Sequence, residues 1–441
     1  MKEASSGAMS KVGKMAKVAK ASRVMCLGAI FLTTSGIGSQ AAAWAEDAPP
    51  PPPPAPAADM APMGAPPAAM PPPAMVAPVP SAVAVEAKPP TATESMPASR
   101  PDVLPPIDVG AWTRIGGVFQ NGSDASKMDD FHMNSTYVEL HAGGKIHKNV
   151  GVTLNLNADW SNYGKSTGAS GPVSIMDAII SFDFTDEFHL WAGRLLVPVD
   201  RANASGPFFM IPWYYPGFLS AGGTSAVGAP KEGPSGRNNG AVVWGDINGG
   251  QLTYLAGVFD NGDVATSPLY SGRLRLALWD KEPGFWGNAS YFGDKDLLSI
   301  GVGGQFQKHG SSSATADKDW AEVNADVLME KKLGGGSFVT AEGAYYHFNV
   351  PDGGISDSAY LLLAYATPTI GVGSIQPMLR YQWLNTKAPS GADLPDPWNI
   401  DAGVSYLIKG PALRVSATYS HTDIGDLTAN AIQLGAQAIF F

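Results

Sequence analysis

The sequence predicts an all-β protein: a 16-stranded antiparallel transmembrane β-barrel with a long third outer loop, preceded by a disordered Pro/Ala-rich segment. Three observations predict it. Segments of roughly ten residues with alternating polarity recur from Ile107 onward, and no apolar run approaches the roughly 18 residues of a spanning helix. The chain opens on an export signal. Its 51 glycines, 10% aromatic residues and only 15% charged residues suit repeated strands and turns better than a soluble enzyme.

Taken in order, the N-terminus carries Lys2, Lys11, Lys14, Lys17, Lys20 and Arg23, then an apolar stretch over residues 24–37, then Ala43-Trp44-Ala45. A basic region, an apolar region and a small-residue site predict a signal peptide over residues 1–45. The single cysteine, Cys26, opens the apolar run instead of following it, which argues against lipid attachment. Once the signal is removed no thiol remains for disulfide or metal chemistry. The signal also holds six basic residues and one acid, so a chain of formal charge −10 becomes more acidic without it. That balance argues against a nucleic-acid partner.

Residues 46–106 hold 21 of the 37 prolines, mixed with Ala, Met and Val. Proline at this density removes backbone donors and favours extended polyproline II, so the segment reads as a periplasmic linker without a core. A tether to the cell wall is the second reading, and the residues do not choose between them.

Residues 107–441 form the barrel domain. Val152, Leu154, Leu156 and Ala158 share one face against Thr153, Asn155, Asn157 and Asp159. Likewise Ala321, Val323, Ala325, Val327 and Met329 alternate with Glu322, Asn324, Asp326, Leu328 and Glu330. Leu274, Leu276 and Leu278 oppose Arg273 and Arg275, and Leu413, Val415, Ala417 and Tyr419 oppose Arg414, Ser416 and Thr418. A soluble sandwich alternates too. The export signal, the missing cysteines and aromatics near strand ends (Trp160, Trp191, Trp279, Trp383, Trp398) favour the barrel.

Candidate strands start near residues 109, 133, 149, 173, 187, 239, 250, 270, 285, 296, 319, 336, 358, 373, 397, 411 and 429, which makes 17. A bacterial single-chain barrel needs an even number. Short turns at 145–149, 185–187, 246–250, 332–337 and 409–411 suit the periplasmic side, and longer links at 122–131, 310–319, 351–358 and 389–397 the outside. The two kinds alternate only if residues 285–293 belong to one long periplasmic connection, which leaves 16 strands.

With that strand number, a signal peptide, a terminal Phe441 and a long segment after Gly193-Arg194-Leu195-Leu196-Val197-Pro198, the chain resembles the phosphate-selective porin O and P family over residues 107–441. Residues 280–304, with Glu282-Pro283-Gly284 and Tyr291-Phe292-Gly293, carry the rest of the resemblance. It implies a homotrimeric channel in the bacterial outer membrane, surrounded by lipid, with the third loop folded into the lumen.

Strand parity points Arg114, Arg273, Arg275, Arg380 and Arg414 into the lumen, together with Glu139, Asp159, Asp177, Glu322, Asp326, Glu342 and Asp401. A file of arginines would select anions such as phosphate; arginines paired with acids would only brace the wall. The loop adds Asp200, Arg201, Lys231, Glu232 and Arg237, a mixed set that fits passive diffusion of small hydrophilic solutes. Its aromatics Phe208, Phe209, Trp213, Tyr214, Tyr215 and Phe218 form either a stacking slide for solutes or pins against the wall. Asp260-Asn261-Gly262-Asp263 reads as a turn before it reads as a calcium loop. The seven histidines lack metal-ligand spacing, and no nucleophile–base pair suggests catalysis or a cofactor.

Overall fold

The computed structural model describes residues 106–121, 128, 130–159, 173–216, 236–260, 267–310, 318–349, 354–388, 390–425 and 427–440. The signal peptide, the Pro/Ala-rich segment up to residue 105, Trp160, Phe218, Lys231, Glu232, residues 261–263 and Phe441 lie outside them.

Sixteen strands follow one another: β1 (Asp108–Gln120), β2 (Asp130–His147), β3 (Val150–Asp159), β4 (Val173–Thr185), β5 (Phe188–Leu196), β6 (Arg237–Ile247), β7 (Leu252–Asp260) and β8 (Leu269–Ala277). The second half is β9 (Leu297–Gln307), β10 (Trp320–Gly334), β11 (Ser337–Phe348), β12 (Gly354–Ala366), β13 (Ser374–Lys387), β14 (Trp398–Leu407), β15 (Leu413–Ile424) and β16 (Leu427–Phe440). Each pairs with its sequence neighbours, and the sheet closes where β1 meets β16, from Ala111 opposite Phe440 to Gln120 opposite Ala431. Closure pairs every strand edge, which a backbone in hydrocarbon requires.

Each expected strand is present except the run at 285–293, which is irregular, so the parity argument holds. Side chains alternate as the period of two demands. On β8, Tyr270, Leu274 and Leu276 are exposed while Ser271, Arg273 and Arg275 are buried. On β16, Ile432, Leu434 and Phe440 share the outer face. An apolar face of this kind, all round a closed barrel, suits the hydrocarbon of a membrane. Trp191, one of the aromatics near strand ends, faces inward: its indole donates to Asp183 (3.1 Å) and its ring stacks on Phe285 (4.6 Å).

Turns at the end bearing the N-terminus are short, as at 148–149, 186–187, 248–251 and 335–336. One is not. The connection from β8 to β9, residues 278–296 and called T4 below, has no regular structure. At the other end the longest connection is the third loop, L3, residues 197–236, which carries a short helix α1 (Arg201–Ser205) and a 3-10 turn (Pro207–Phe209). Leu195, Leu196 and Val197 at the foot of L3 and Phe285 of T4 join one buried cluster with Trp244, Leu255 and Phe259 of the wall. L3 and T4 therefore both pack inside the barrel.

Candidate functional site: a loop strung across the lumen

L3 leaves β5 and is fixed within a few residues. Ser271 Oγ donates to the carbonyl of Pro198 (2.6 Å) and Arg273 Nη1 to that of Val199 (3.2 Å). The loop lies so close to β9 that a Cβ on Gly303 would sit 1.9 Å from the Val199 oxygen, which only glycine permits. Asp200 then caps α1, its Oδ1 accepting from Asn203 N–H (2.7 Å). Burial pushes the Asp200 carboxyl up to about 6, against the opposing pull of Asn203 N–H and Arg273.

The next residue, Arg201, is fully buried in a charge cluster drawn from three parts of the chain. Its guanidinium forks onto Glu282 of T4 (2.7 and 3.0 Å), and also donates to Asp326 of β10 (3.3 Å), Ser299 Oγ of β9 (2.7 Å) and the Asn288 carbonyl of T4 (2.8 Å). Glu282 further accepts from Tyr291 OH (2.7 Å) and Ser299 Oγ (2.7 Å), and lies 3.4 Å from Arg275 Nε. Burial alone would raise the Glu282 carboxyl, but Arg201 and Arg275 overcome it and hold the group well below the usual carboxylate range. Arg273 forks onto Asp326 (2.5 and 2.9 Å), and Arg275 donates to the carbonyls of Glu282 and Gly284 (2.8 and 2.7 Å). Ala289 N–H donates to Ser205 Oγ (3.0 Å), so T4 also touches the end of α1.

The rest of the described loop reaches the opposite wall. Gln437 donates to the Phe208 carbonyl (2.9 Å), Arg414 to that of Ile211 (3.2 Å), Arg114 to that of Trp213 (2.7 Å) and Arg380 to that of Tyr214 (2.9 Å). Trp213 lies over Arg114, with its ring centroid 3.9 Å from the guanidinium carbon, and fills the space left by Gly116 and Gly435. Phe208 and Phe209 meet Trp112 edge-on at 5.1 and 5.6 Å. Tyr214 OH donates to Gln433, and Tyr215 is half-buried beyond it. Of the two readings of these aromatics, pins against the wall describe Phe208 and Trp213, which are almost wholly buried.

The remaining inward acids sit in local networks. Glu139 accepts from Tyr137 OH and lies 3.2 Å from His141 Nε2. Glu322 accepts from Asn324 (3.0 Å) and Glu342 from Tyr360 OH (2.8 Å). Arg237, the first residue of β6, donates to Asp177 (3.2 Å), and Arg380 to Asp401 (2.8 Å). The predicted set is thus split in two: Arg201, Arg273, Arg275 and Asp326 gather at the foot of L3, whereas Arg114, Arg380 and Arg414 hold its far end.

The closed sixteen-stranded barrel has counterparts among solved structures. The chain is similar to OmpF of Salmonella typhi in complex with daunomycin, at 12% identity over 76% of this chain and 97% of that one, with a TM-score of 0.52. An anion-selective porin from Comamonas acidovorans gives 13% identity, 76% and 100% coverage and a TM-score of 0.52. OprB of Pseudomonas putida gives 10% identity, 76% and 94% coverage and a TM-score of 0.52. The fold is that of an outer-membrane porin. No protein-family model and no curated protein matches the sequence.

The part of this barrel that strand parity did not reveal is the inward course of T4. Glu282, Asn288, Tyr291 and Ser299 were not expected at the site. Their signal is chemical: Phe285, Trp286, Tyr291 and Phe292 are too apolar for an exposed periplasmic connection, so that stretch needs an interior to fill.

Proposed function

We propose that this chain is a passive, water-filled channel for small hydrophilic solutes and ions, with L3 setting the aperture. One observation carries the reading: the described stretch of L3, residues 197–216, has its backbone held by Ser271 and Arg273 on one wall and by Arg114, Arg380, Arg414 and Gln437 on the other. A loop fixed across a barrel narrows the passage without closing the sheet, and the charged wall beside it favours ions and hydrophilic solutes over apolar ones. Full-length protein inserted in a planar bilayer gives stepwise conductance on this reading; a correctly folded barrel that never conducts would overturn it.

In this channel Arg114, Arg273, Arg275, Arg380, Arg414, Glu139, Glu322, Asp326 and Glu342 line or brace the pore wall, and Asp200, Arg201, Phe208, Phe209, Trp213, Tyr214, Tyr215 and Arg237 belong to the constriction; Lys231 and Glu232 of the same loop lie outside the described residues. The resemblance to the phosphate-selective porin O and P family supports assembly as a homotrimer in outer-membrane lipid, checked by the mass of the detergent-solubilised particle. It also supports a narrower reading as a phosphate channel. Phosphate that blocks chloride current at low concentration would favour it, and equal currents in both salts would remove it. The Pro/Ala-rich segment serves as a spacer or cell-wall tether; if it is a tether, deleting residues 46–106 alters envelope integrity but not conductance, and if it is a spacer, it alters neither.

A further inference from the structure

Strands β1, β16 and β15 place three inward side chains in one row. Arg114 is the register partner of Gln437, and Gln437 is the register partner of Arg414. Neighbouring strands lie about 4.8 Å apart, so the two arginines rise from backbones about 10 Å apart, with the glutamine between them. L3 roofs the row, its carbonyls at Phe208, Ile211 and Trp213 accepting from Gln437, Arg414 and Arg114. Arg414 Nη2 also donates to Gln437 Oε1 (3.3 Å).

Stapling of the loop backbone accounts for those bonds. It does not account for the charge. Arg201, Arg237, Arg273, Arg275 and Arg380 each face a carboxylate within ion-pair distance. Among the described residues Arg114 and Arg414 have none, although they are 6% and 0% exposed. Glu139, on the strand beside Arg114, is engaged by Tyr137 and His141 instead. Each of the two guanidiniums also keeps a buried Nε–H without an acceptor. An arginine cannot shed its proton to escape burial, and carbonyls and ring faces supply no net negative charge. Two neighbouring buried cations with open donor edges call for a counter-ion, and the guanidinium fork is shaped for one.

We propose that the Arg114–Gln437–Arg414 row is a binding site for a small inorganic anion, chloride or phosphate, between L3 and the wall. Gln437 supplies the neutral centre of the row and the two arginines the charge. Its influence on permeation rests on the channel reading above: at the foot of L3 the three arginines Arg201, Arg273 and Arg275 are matched by the three carboxylates Glu282, Asp326 and Asp200, so the excess positive charge lies at the far end and biases the lumen toward anions.

The test uses crystals of the full-length chain soaked in bromide, together with reversal potentials in a potassium chloride gradient. Wild type should show an anomalous bromide peak in contact with the two guanidiniums, and the peak should vanish in the Arg114→Gln, Arg414→Gln double variant. Phosphate added during the soak displaces the peak if the site takes oxyanions and leaves it if the site takes halides; either result places an anion there. Anion preference should fall by roughly threefold or more in the double glutamine variant, the scale of two charges removed from a poorly screened site. The Arg114→Lys, Arg414→Lys variant keeps the charge and should keep the preference. No peak in wild type, or lysine and glutamine variants that shift selectivity alike, would reduce the arginines to staples and overturn the proposal. A bromide peak in a barrel that does not conduct would instead remove the channel reading and leave the site intact.

Discussion

At the scale of single residues the seating of L3 depends on Glu282, which ties T4 to L3 through Arg201 and to the wall through Arg275 and Ser299. Replacing one partner of a buried pair leaves the other charge unmatched, at a cost of about 3–5 kcal/mol. Glu282→Gln keeps the shape and removes the charge, so the barrel should still assemble while L3 loosens, seen as increased open-channel current noise. Asp200 gives a pH signature of the opposite sense. Its folded pKa of about 6 lies above its ordinary 3.8, so folding takes up a proton between those values. The anchored loop is therefore favoured below about pH 4, and that advantage is lost as pH rises through about 6. Glu282, held below its ordinary 4.5, contributes its stability above that value and loses it as pH falls further into acid. Current noise in wild type should rise between about pH 4 and pH 6. In Asp200→Asn, which retains a good helix cap, that rise should be absent.

At the scale of elements, T4 and L3 act on each other from opposite ends of the barrel. Replacing residues 284–293 by a short glycine-serine turn removes two of the three carbonyls placed on Arg275, those of Gly284 and Trp286, and the Asn288 contact to Arg201. Single-channel conductance should then rise, because a filled part of the lumen is emptied and L3 loses its support; unchanged conductance would mean that T4 lies off the permeation path. At the far end, a Cβ on Gly435 would meet the Trp213 ring at 2.4–2.7 Å. Gly435→Val should displace the aromatic end of L3 while β16 still closes on β1. How far these elements were legible in the sequence follows from their physics. A strand announces itself through a period of two, and turn lengths then settled that 285–293 is not one. The direction a loop takes has no period. Arg273, Arg275 and Asp326 could be placed inside by parity, but Glu282 could not, since it reaches Arg275 and Arg201 through an irregular chain path. The aromatic stretch 285–292 carried the information that T4 is buried, in composition and not in spacing.

For the whole molecule, the two faces of the barrel carry separable duties, which substitutions on adjacent residues of one strand expose. On β12, Leu363 points outward and is half exposed, while Leu362 beside it is fully buried and packs with Ile211 of L3 and Met378. An arginine on the lipid face costs about 2–4 kcal/mol near the bilayer midplane and less toward either interface. Leu363→Arg should therefore lower the fraction of chain that folds into bilayers, read as the compact unboiled band on a gel, while the barrels that do fold conduct as wild type. Leu362→Ala should do the reverse. It opens a cavity beneath Ile211 at a local cost of about 2–5 kcal/mol, within the lumen and away from lipid. Folding yield should then change little against sixteen closed strand pairings, and conductance and current noise should rise because L3 is less firmly seated. If Leu362→Ala abolished folding instead, L3 would be part of what stabilises the barrel and not a constriction mounted within it.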